Sequence, residues 1–356
     1  MHYTREVPTP TAYPGYAAGV DDVDDFSSAP QDVARMGQLL RDGGLVAFPT
    51  ETVYGLGANA LDATAVARIF AAKERPSFNP LIVHIADRAH IAHVATEFSP
   101  LAKQLADAFW PGPLSLVLPR AEAIPDIVTG GLETVGIRMP AHPLALALIR
   151  AAGVPLAAPS ANRFTQVSPT TAEHVRAALG ERVDAILDGG PTKVGIESTI
   201  VAVAGDRATL LRTGGISRNA IEQITGSLAD AAPEAEGDTR RSPGRIERHY
   251  APNTPLFALK RTGAGHQLEW PPAFAGSDAS AVVVSTGPLV GDLPACATGI
   301  EMPDDAASYA RLLYAALHRA DACDAAFVLW EIPPTGSEWE AVHDRLRRAG
   351  LPTSKP

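Results

Sequence analysis

Residues 44–57 read GLVAFPTETVYGLG. The run Leu45-Val46-Ala47-Phe48 is uniformly apolar and reads as a buried strand, and Gly43-Gly44 before it ends an upstream helix. Directly after the strand comes Pro49-Thr50-Glu51-Thr52-Val53-Tyr54-Gly55-Leu56-Gly57, read here as a loop. Two threonines and a carboxylate just beyond a buried strand can fix a small polar ligand, because sites gather at strand ends and on the loops that leave them.

Reading outward, residues 31–42 place Val33, Met36, Leu39 and Leu40 on one helical face. Asp62 is the cap of a second helix, with Val66, Ile69 and Phe70 inward. Further strands are predicted at Leu81–Ile85, Leu114–Leu118, Thr134–Arg138, Val154–Ala157, Asp184–Leu187, Ser198–Val203 and Ala208–Leu211. Helices are predicted near 86–95, 98–109, 142–152 and 171–179, and through Ile216–Ile224. Elements mixed in this way predict an α/β domain over 31–225 with a twisted, mixed sheet. The stretch SLADAAPEAEGDTRRSP at 227–243 marks a linker, taken as 226–253. Beyond it, strands at Leu256–Leu259, Ala281–Ser285 and Ala326–Ile332 with helices at 304–320 and 337–349 predict a smaller parallel, Rossmann-like α/β domain over 254–356. Residues 1–30 form an acidic N-terminal extension, five acids against one base, and read as a solvated leader.

The chain of 356 residues is 46% hydrophobic and 20% charged, ordinary for a soluble globular protein. Two cysteines, Cys296 and Cys323, exclude a disulfide framework and a four-cysteine zinc site. No apolar run is long enough to span a membrane, and the N-terminus lacks a secretory core, so a cytoplasmic protein is expected. A net charge of −10 argues against a general nucleic-acid coat. The charge is uneven: residues 31–225 hold 18 acids and 17 bases, the one region where a cationic pocket would not fight its surroundings.

The P-loop pattern, G-x-G-x-x-G and H-E-x-x-H are all absent. A nucleotide site would have to be assembled from scattered polar residues. Lys73 and Arg75 close a helix, and in an extended loop they can point the same way, a compact cation beside a planar fork. Ser160 and Asn162 follow a short strand and can donate to one anion. Lys193–Thr199 and Leu211–Gly215 are further polar loops, and Arg138 and Arg212 each end an apolar strand, where an arginine needs an anionic partner. Structural readings stand beside these. Lys73 and Arg75 also suit a helix C-terminus, Ser160–Asn162 a simple turn, His84 a core histidine, Arg138 a structural ion pair, and His249-Tyr250 a linker anchor.

With those residues in view, the segments 44–60, 73–85, 110–117, 134–140, 156–170 and 186–215 closely resemble the YrdC-like family of threonylcarbamoyl-AMP synthases. The pattern KxR followed by SxN, met by Lys73, Arg75, Ser160 and Asn162, is that family's signature. The linker SPGRIERHYAP at 242–252, followed by an extra α/β domain, is similar to the two-domain long form, with Arg245 where that form has methionine.

The resemblance implies a fold with a concave, cationic cavity and a reaction in which L-threonine, bicarbonate (or CO2) and ATP give threonylcarbamoyl-AMP, pyrophosphate and water. It implies that Lys73, Arg75, Ser160 and Asn162 are catalytic. It implies an ATP site of Arg75, Asn79, Thr134, Ala158, Ser160, Ser168, Arg212 and Tyr250, and an L-threonine site of Thr52, His84, Arg138 and Ser198. Mg2+ would come with ATP, held mostly by phosphates and water, and the sequence shows no obvious carboxylate cage for it. The product would pass to a downstream tRNA threonylcarbamoyl transferase complex, with a weak tRNA contact. A non-enzymatic RNA-binding module of the same fold is the alternative, disfavoured by the acidic balance and the lack of a basic-aromatic run. A carbamoyltransferase of the hydrogenase-maturation type would need zinc-binding cysteines that two residues cannot supply. A regulatory second domain is compatible with synthesis in the first.

Overall fold

The computed structural model describes residues 30–231, 249–259, 261–262, 265–266, 271–274, 279–289, 293 and 295–352. The expected extension, apart from Pro30, and residues 232–248 of the expected linker, Arg245 among them, lie outside the described residues.

The first unit runs α1 (Pro30–Arg41), β1 (Val46–Phe48), β2 (Gly55–Asn59), α2 (Ala63–Lys73), β3 (Ile82–His84), α3 (Ile91–Val94), α4 (Pro100–Phe109), β4 (Leu114–Pro119), α5 (Asp126–Thr129), β5 (Thr134–Arg138), α6 (Pro143–Ala152), β6 (Leu156–Ala157), α7 (Ala172–Leu179), β7 (Ala185–Ile186), β8 (Thr199–Ala204), β9 (Arg207–Arg212), α8 (Arg218–Thr225) and β10 (Ala229–Asp230). Its strands form one ten-stranded mixed sheet in the order β10-β9-β8-β4-β5-β3-β6-β2-β1-β7. The second unit contains β11 (Leu256–Leu259), a small antiparallel pair β12 (Arg261–Thr262) and β13 (Gly265–His266), β14 (Ala281–Thr286), β15 (Ala297–Met302), α9 (Ala306–Ala322), β16 (Phe327–Glu331) and α10 (Glu340–Ala349). Strands β11-β16-β14-β15 lie side by side, all parallel. Among the described residues no helix is long and apolar enough to cross a membrane.

Strand β1 shows why the opening stretch organises the domain. Leu45 and Ala47 face one hydrophobic cluster, with Leu56, Ile69, Val83 and Ile137, while Val46 and Phe48 face another beneath α1 and α6. Both faces of the sheet are therefore covered, and an uninterrupted apolar strand is the consequence. Helix α2 begins where expected, the Asp62 carboxylate accepting from the backbone N–H of Thr64 (2.8 Å) and Ala65 (3.2 Å).

Two expectations are corrected. The loop after β1 ends at Tyr54, because Gly55–Asn59 is strand β2, antiparallel to β1 with Ala47 opposite Leu56. The glycines disguise it: a Cβ at Gly57 would lie 2.8 Å from the Phe48 ring, so the strand is glycine-bearing for packing and not for turning. Strand β15 was not predicted at all, since its half-exposed run ATGIEM carries a glycine and no apolar stretch.

The two units share a core. Val53, Val167 and Ile196 of the first lie in one cluster with Leu256, Tyr309, Leu313 and Trp330 of the second. Gly195 is the tightest point: at φ +78° it brings the 193–198 loop so near α9 that a Cβ there would meet the Arg311 carbonyl oxygen at 2.3 Å.

Candidate active site

Sheet order gathers loops that are remote in sequence. Strands β3 and β5 are parallel neighbours, with His84 beside Arg138, and β6 lies antiparallel against both β2 and β3. Their ends, the loop after β1, the 158–162 loop, the 193–198 loop and the end of β9 surround one cleft of about 570 Å³, part of it open to solvent. Of the predicted residues, Thr52, Arg75, His84, Arg138, Ala158, Ser160, Ser198, Arg212 and Tyr250 line it.

Its three arginines are held differently. Arg138 is ion-paired to Glu51 at 2.6 Å and donates to Thr52 Oγ1 (2.9 Å) and to the Gly112 carbonyl (3.3 Å). The Glu51 carboxylate also accepts from the Ala141 N–H at 3.1 Å, so it is a brace for Arg138 and not a ligand-fixing group. Arg212 donates to the Ser198 carbonyl through Nε (3.1 Å) and Nη2 (2.9 Å), and to Ser198 Oγ (3.1 Å). Arg75 makes one hydrogen bond, Nη2 to the Pro80 carbonyl at 3.2 Å, and its buried Nε has no hydrogen-bond partner among the described residues. Its guanidinium otherwise sits 5.7 Å from the Phe164 ring. Burial pushes Arg75 down to about 10, with Arg212 adding to it, and Arg212 below its usual range, with Arg345 adding to it.

Five predicted residues are not among those lining the cleft. Lys73 is the last residue of α2, and Glu74 after it is left-handed (φ 54°), so the pair Lys73–Arg75 is not carried by an extended loop. The Lys73 ammonium donates to the carbonyl of Ser160 at 2.5 Å and to that of Asn162. Burial and Arg75 press its proton affinity well below the usual lysine range. Asn162 Nδ2 donates to the carbonyls of Arg163 (2.8 Å) and Gln166 (2.7 Å), closing its own loop. Ser168 Oγ donates to Glu197 at 2.6 Å. Asn79 is buried, and its Nδ2 has no hydrogen-bond partner among the described residues. Thr134 opens β5 and is exposed, four residues before Arg138.

Thr50, one of the two threonines offered by the loop after β1, lines the cleft, and the structure adds Glu197 and His249, which lie outside the site sets that the resemblance implies. His249 and Tyr250 are stitched to both units. The His249 N–H donates to the Arg348 carbonyl and the Ala251 N–H to the Thr165 carbonyl, each at 2.9 Å. Between them Tyr250 is held at φ 61°, a strained conformation for a bulky residue, with its ring packed on His249 and Tyr314.

Burial drives His84 down to about 3, with Arg138 adding to it, and His249 to about 3, with Arg75 adding to it; burial likewise takes His142 to about 4. All three are neutral in the folded chain near neutrality. As pH falls, the unfolded chain takes up protons from about pH 6.5 and the folded chain resists, so stability present above that pH is lost between about pH 6.5 and pH 3. The melting temperature is expected to drop steadily across that window, and His84→Asn to flatten the slope. A melting temperature that is level on acidification would contradict these assignments.

Among the described residues no group of three or more His, Cys, Asp or Glu side chains could hold a metal ion. The carboxylate lining the cleft, Glu197, is already engaged by Ser168, Tyr314 and Arg345.

Comparison with known proteins agrees with this architecture. A family model described as "Telomere recombination" matches residues 38–214, and one described as "Threonylcarbamoyl-AMP synthase, C-terminal domain" matches 216–350. A Bacillus subtilis protein named threonylcarbamoyl-AMP synthase is 50% identical over 67% of this chain and 69% of its own length. A Pyrococcus abyssi protein of the same name is 48% identical over 62% of this chain and 66% of its own length, just under two thirds. The crystal structure of P. abyssi Sua5 complexed with L-threonine superposes with a TM-score of 0.80 at 38% identity, covering 90% of this chain and 94% of that one. With both family models in sequence along the chain and a near-full-length structural match, the chain belongs to the threonylcarbamoyl-AMP synthase family.

Proposed function

We propose that this chain condenses L-threonine, bicarbonate (as CO2) and ATP into threonylcarbamoyl-AMP, pyrophosphate and water. The observation that carries the reading is the set of guanidinium groups of Arg75, Arg138 and Arg212 brought to one cleft from three separate places in the sequence. The threonine amine attacks CO2, a C–N bond forms and a proton is lost. A carbamate oxygen then attacks the α-phosphorus, and the bond to pyrophosphate breaks. Both steps crowd anions together, so the protein's task is placement and charge neutralisation.

Arg138 braced by Glu51 suits the threonine carboxylate, with Thr52, His84 and Ser198 around the amino acid. A neutral His84 avoids repelling the attacking amine. Arg75 and Arg212 face the phosphates, Ala158 and Ser160 offer the rim of their loop, and Tyr250 closes over the nucleotide. Lys73, Asn162 and Ser168 act by positioning that loop and Glu197, and Asn79 and Thr134 support the 75–80 loop and β5. Mg2+ would enter as part of the ATP substrate, held mostly by phosphates and water; among the described lining residues the carboxylate, Glu197, is already engaged. The adenylate would then pass to a tRNA-modifying transferase in the cytoplasm.

The decisive assay incubates the protein with ATP, bicarbonate and each amino acid in turn, following pyrophosphate and the adenylate. Threonine alone is expected to support rapid release. Serine or glycine working equally well would overturn the substrate assignment.

A further inference from the structure

Glu197 poses an electrostatic problem. It lines a cleft whose other charged groups, among the described residues, are Arg75, Arg138 and Arg212, and a carboxylate there opposes any polyphosphate. Its neutralisation comes from the second unit. Arg345, in α10, is fully buried and donates from Nε to Glu197 Oε2 at 2.7 Å, from Nη2 to the Thr213 carbonyl at 2.9 Å and from Nη1 to Asp344 at 2.8 Å. Its guanidinium lies 5.3 Å from the centre of the Tyr250 ring. Tyr314, in α9, donates its hydroxyl to the same Glu197 oxygen at 2.8 Å. Asp344 does not consume Arg345, because Arg347 (2.7 Å) and Arg348 (3.0 Å) also pair with it.

The loop bearing Glu197 has little freedom to turn away, since Ile196 is buried in the shared core and Gly195 is pressed against α9. Burial alone would raise the Glu197 carboxyl, but Arg345 and then Arg212 outweigh it, so the group stays ionised.

We propose that Arg345 is a positioning residue for the nucleotide: it cancels the charge of Glu197, so that this carboxylate does not oppose an anion entering the cleft. The second unit thus contributes to the phosphate site without touching it. This rests on the ATP-binding reading above.

The test is calorimetric titration of ATP, with Mg2+, into the full-length protein and four variants, each checked for folding by thermal melting. Wild type is expected to bind ATP. Arg345→Met is expected to bind at least about tenfold more weakly, because an uncompensated buried carboxylate now faces the phosphates. Arg345→Lys, which keeps a positive charge beside the Glu197 carboxylate, is expected to stay within about threefold of wild type. With Glu197→Gln as background, adding Arg345→Met is expected to change affinity by less than about threefold, since no carboxylate charge remains to cancel. A merely structural arginine would cost as much in that background as in wild type. Arg345→Met binding like wild type, or losing equally in both backgrounds, would overturn the proposal. If Arg345→Met does not fold, Arg345→Lys and the double variant decide by the same limits. Failure of the wild type itself to bind ATP would instead overturn the ATP-binding reading.

Discussion

Arg75→Met leaves the melting temperature of the ligand-free protein unchanged or raises it, and weakens ATP binding by about 100-fold. The two effects differ in sign because of how Arg75 is held. It is buried with a single hydrogen bond, to Pro80, and an Nε that has no partner among the described residues. A desolvated charge with so little in return strains the empty fold, and an apolar side chain of similar length relieves that strain. Filling the cleft reverses the balance, because a phosphate supplies the missing charge-assisted bonds. Losing one such buried partner costs about 3 kcal/mol, a factor of about 100 in affinity. Thermal melting without nucleotide and titration with ATP check both halves. A variant that melts earlier yet binds ATP normally would make Arg75 a structural residue.

Lys73→Met is expected to behave in the opposite way, losing stability and activity together. Lys73 is as deeply buried as Arg75 but is spent on the protein, donating to the carbonyls of Ser160 and Asn162. Methionine fills the same space and donates nothing, leaving two buried carbonyls short of a donor at a cost of about 3 kcal/mol or more. The 158–162 loop, which brings Ala158 and Ser160 to the cleft, loses its anchor, and threonine-dependent pyrophosphate release should fall at least about 100-fold. Denaturant midpoints and the pyrophosphate assay report the two losses. An inactive variant with wild-type stability would mean that Lys73 acts on the reactants themselves.

The contrast between these neighbours marks the limit of what residue types reveal. The run Leu45–Phe48 announced a doubly covered strand because no polar residue interrupts it, and Arg138 and Arg212 stood out because each ends an apolar strand. Those signals are local. The direction of Lys73 is not: it depends on Glu74 adopting a left-handed conformation that its residue type disfavours. The assignment of Glu51 depends on Arg138, and that of Glu197 on Arg345, 148 residues away. Ser168 looks like a ligand-facing hydroxyl until Glu197 is placed beside it. Strand β2 was hidden for the converse reason, its glycines reading as a loop because the Phe48 ring that demands them is invisible to a local pattern.

The common core has a bearing on how the chain can be divided. Severing it after residue 231 would strip Val53, Val167 and Ile196 of their cover, leaving greasy, wetted surface beside the catalytic mouth. The halves are thus not modules to be exchanged at will. Any graft of a foreign tail would have to reproduce a matching oily face, an arginine in register with Glu197, and a furrow shallow enough to admit the bare backbone at Gly195.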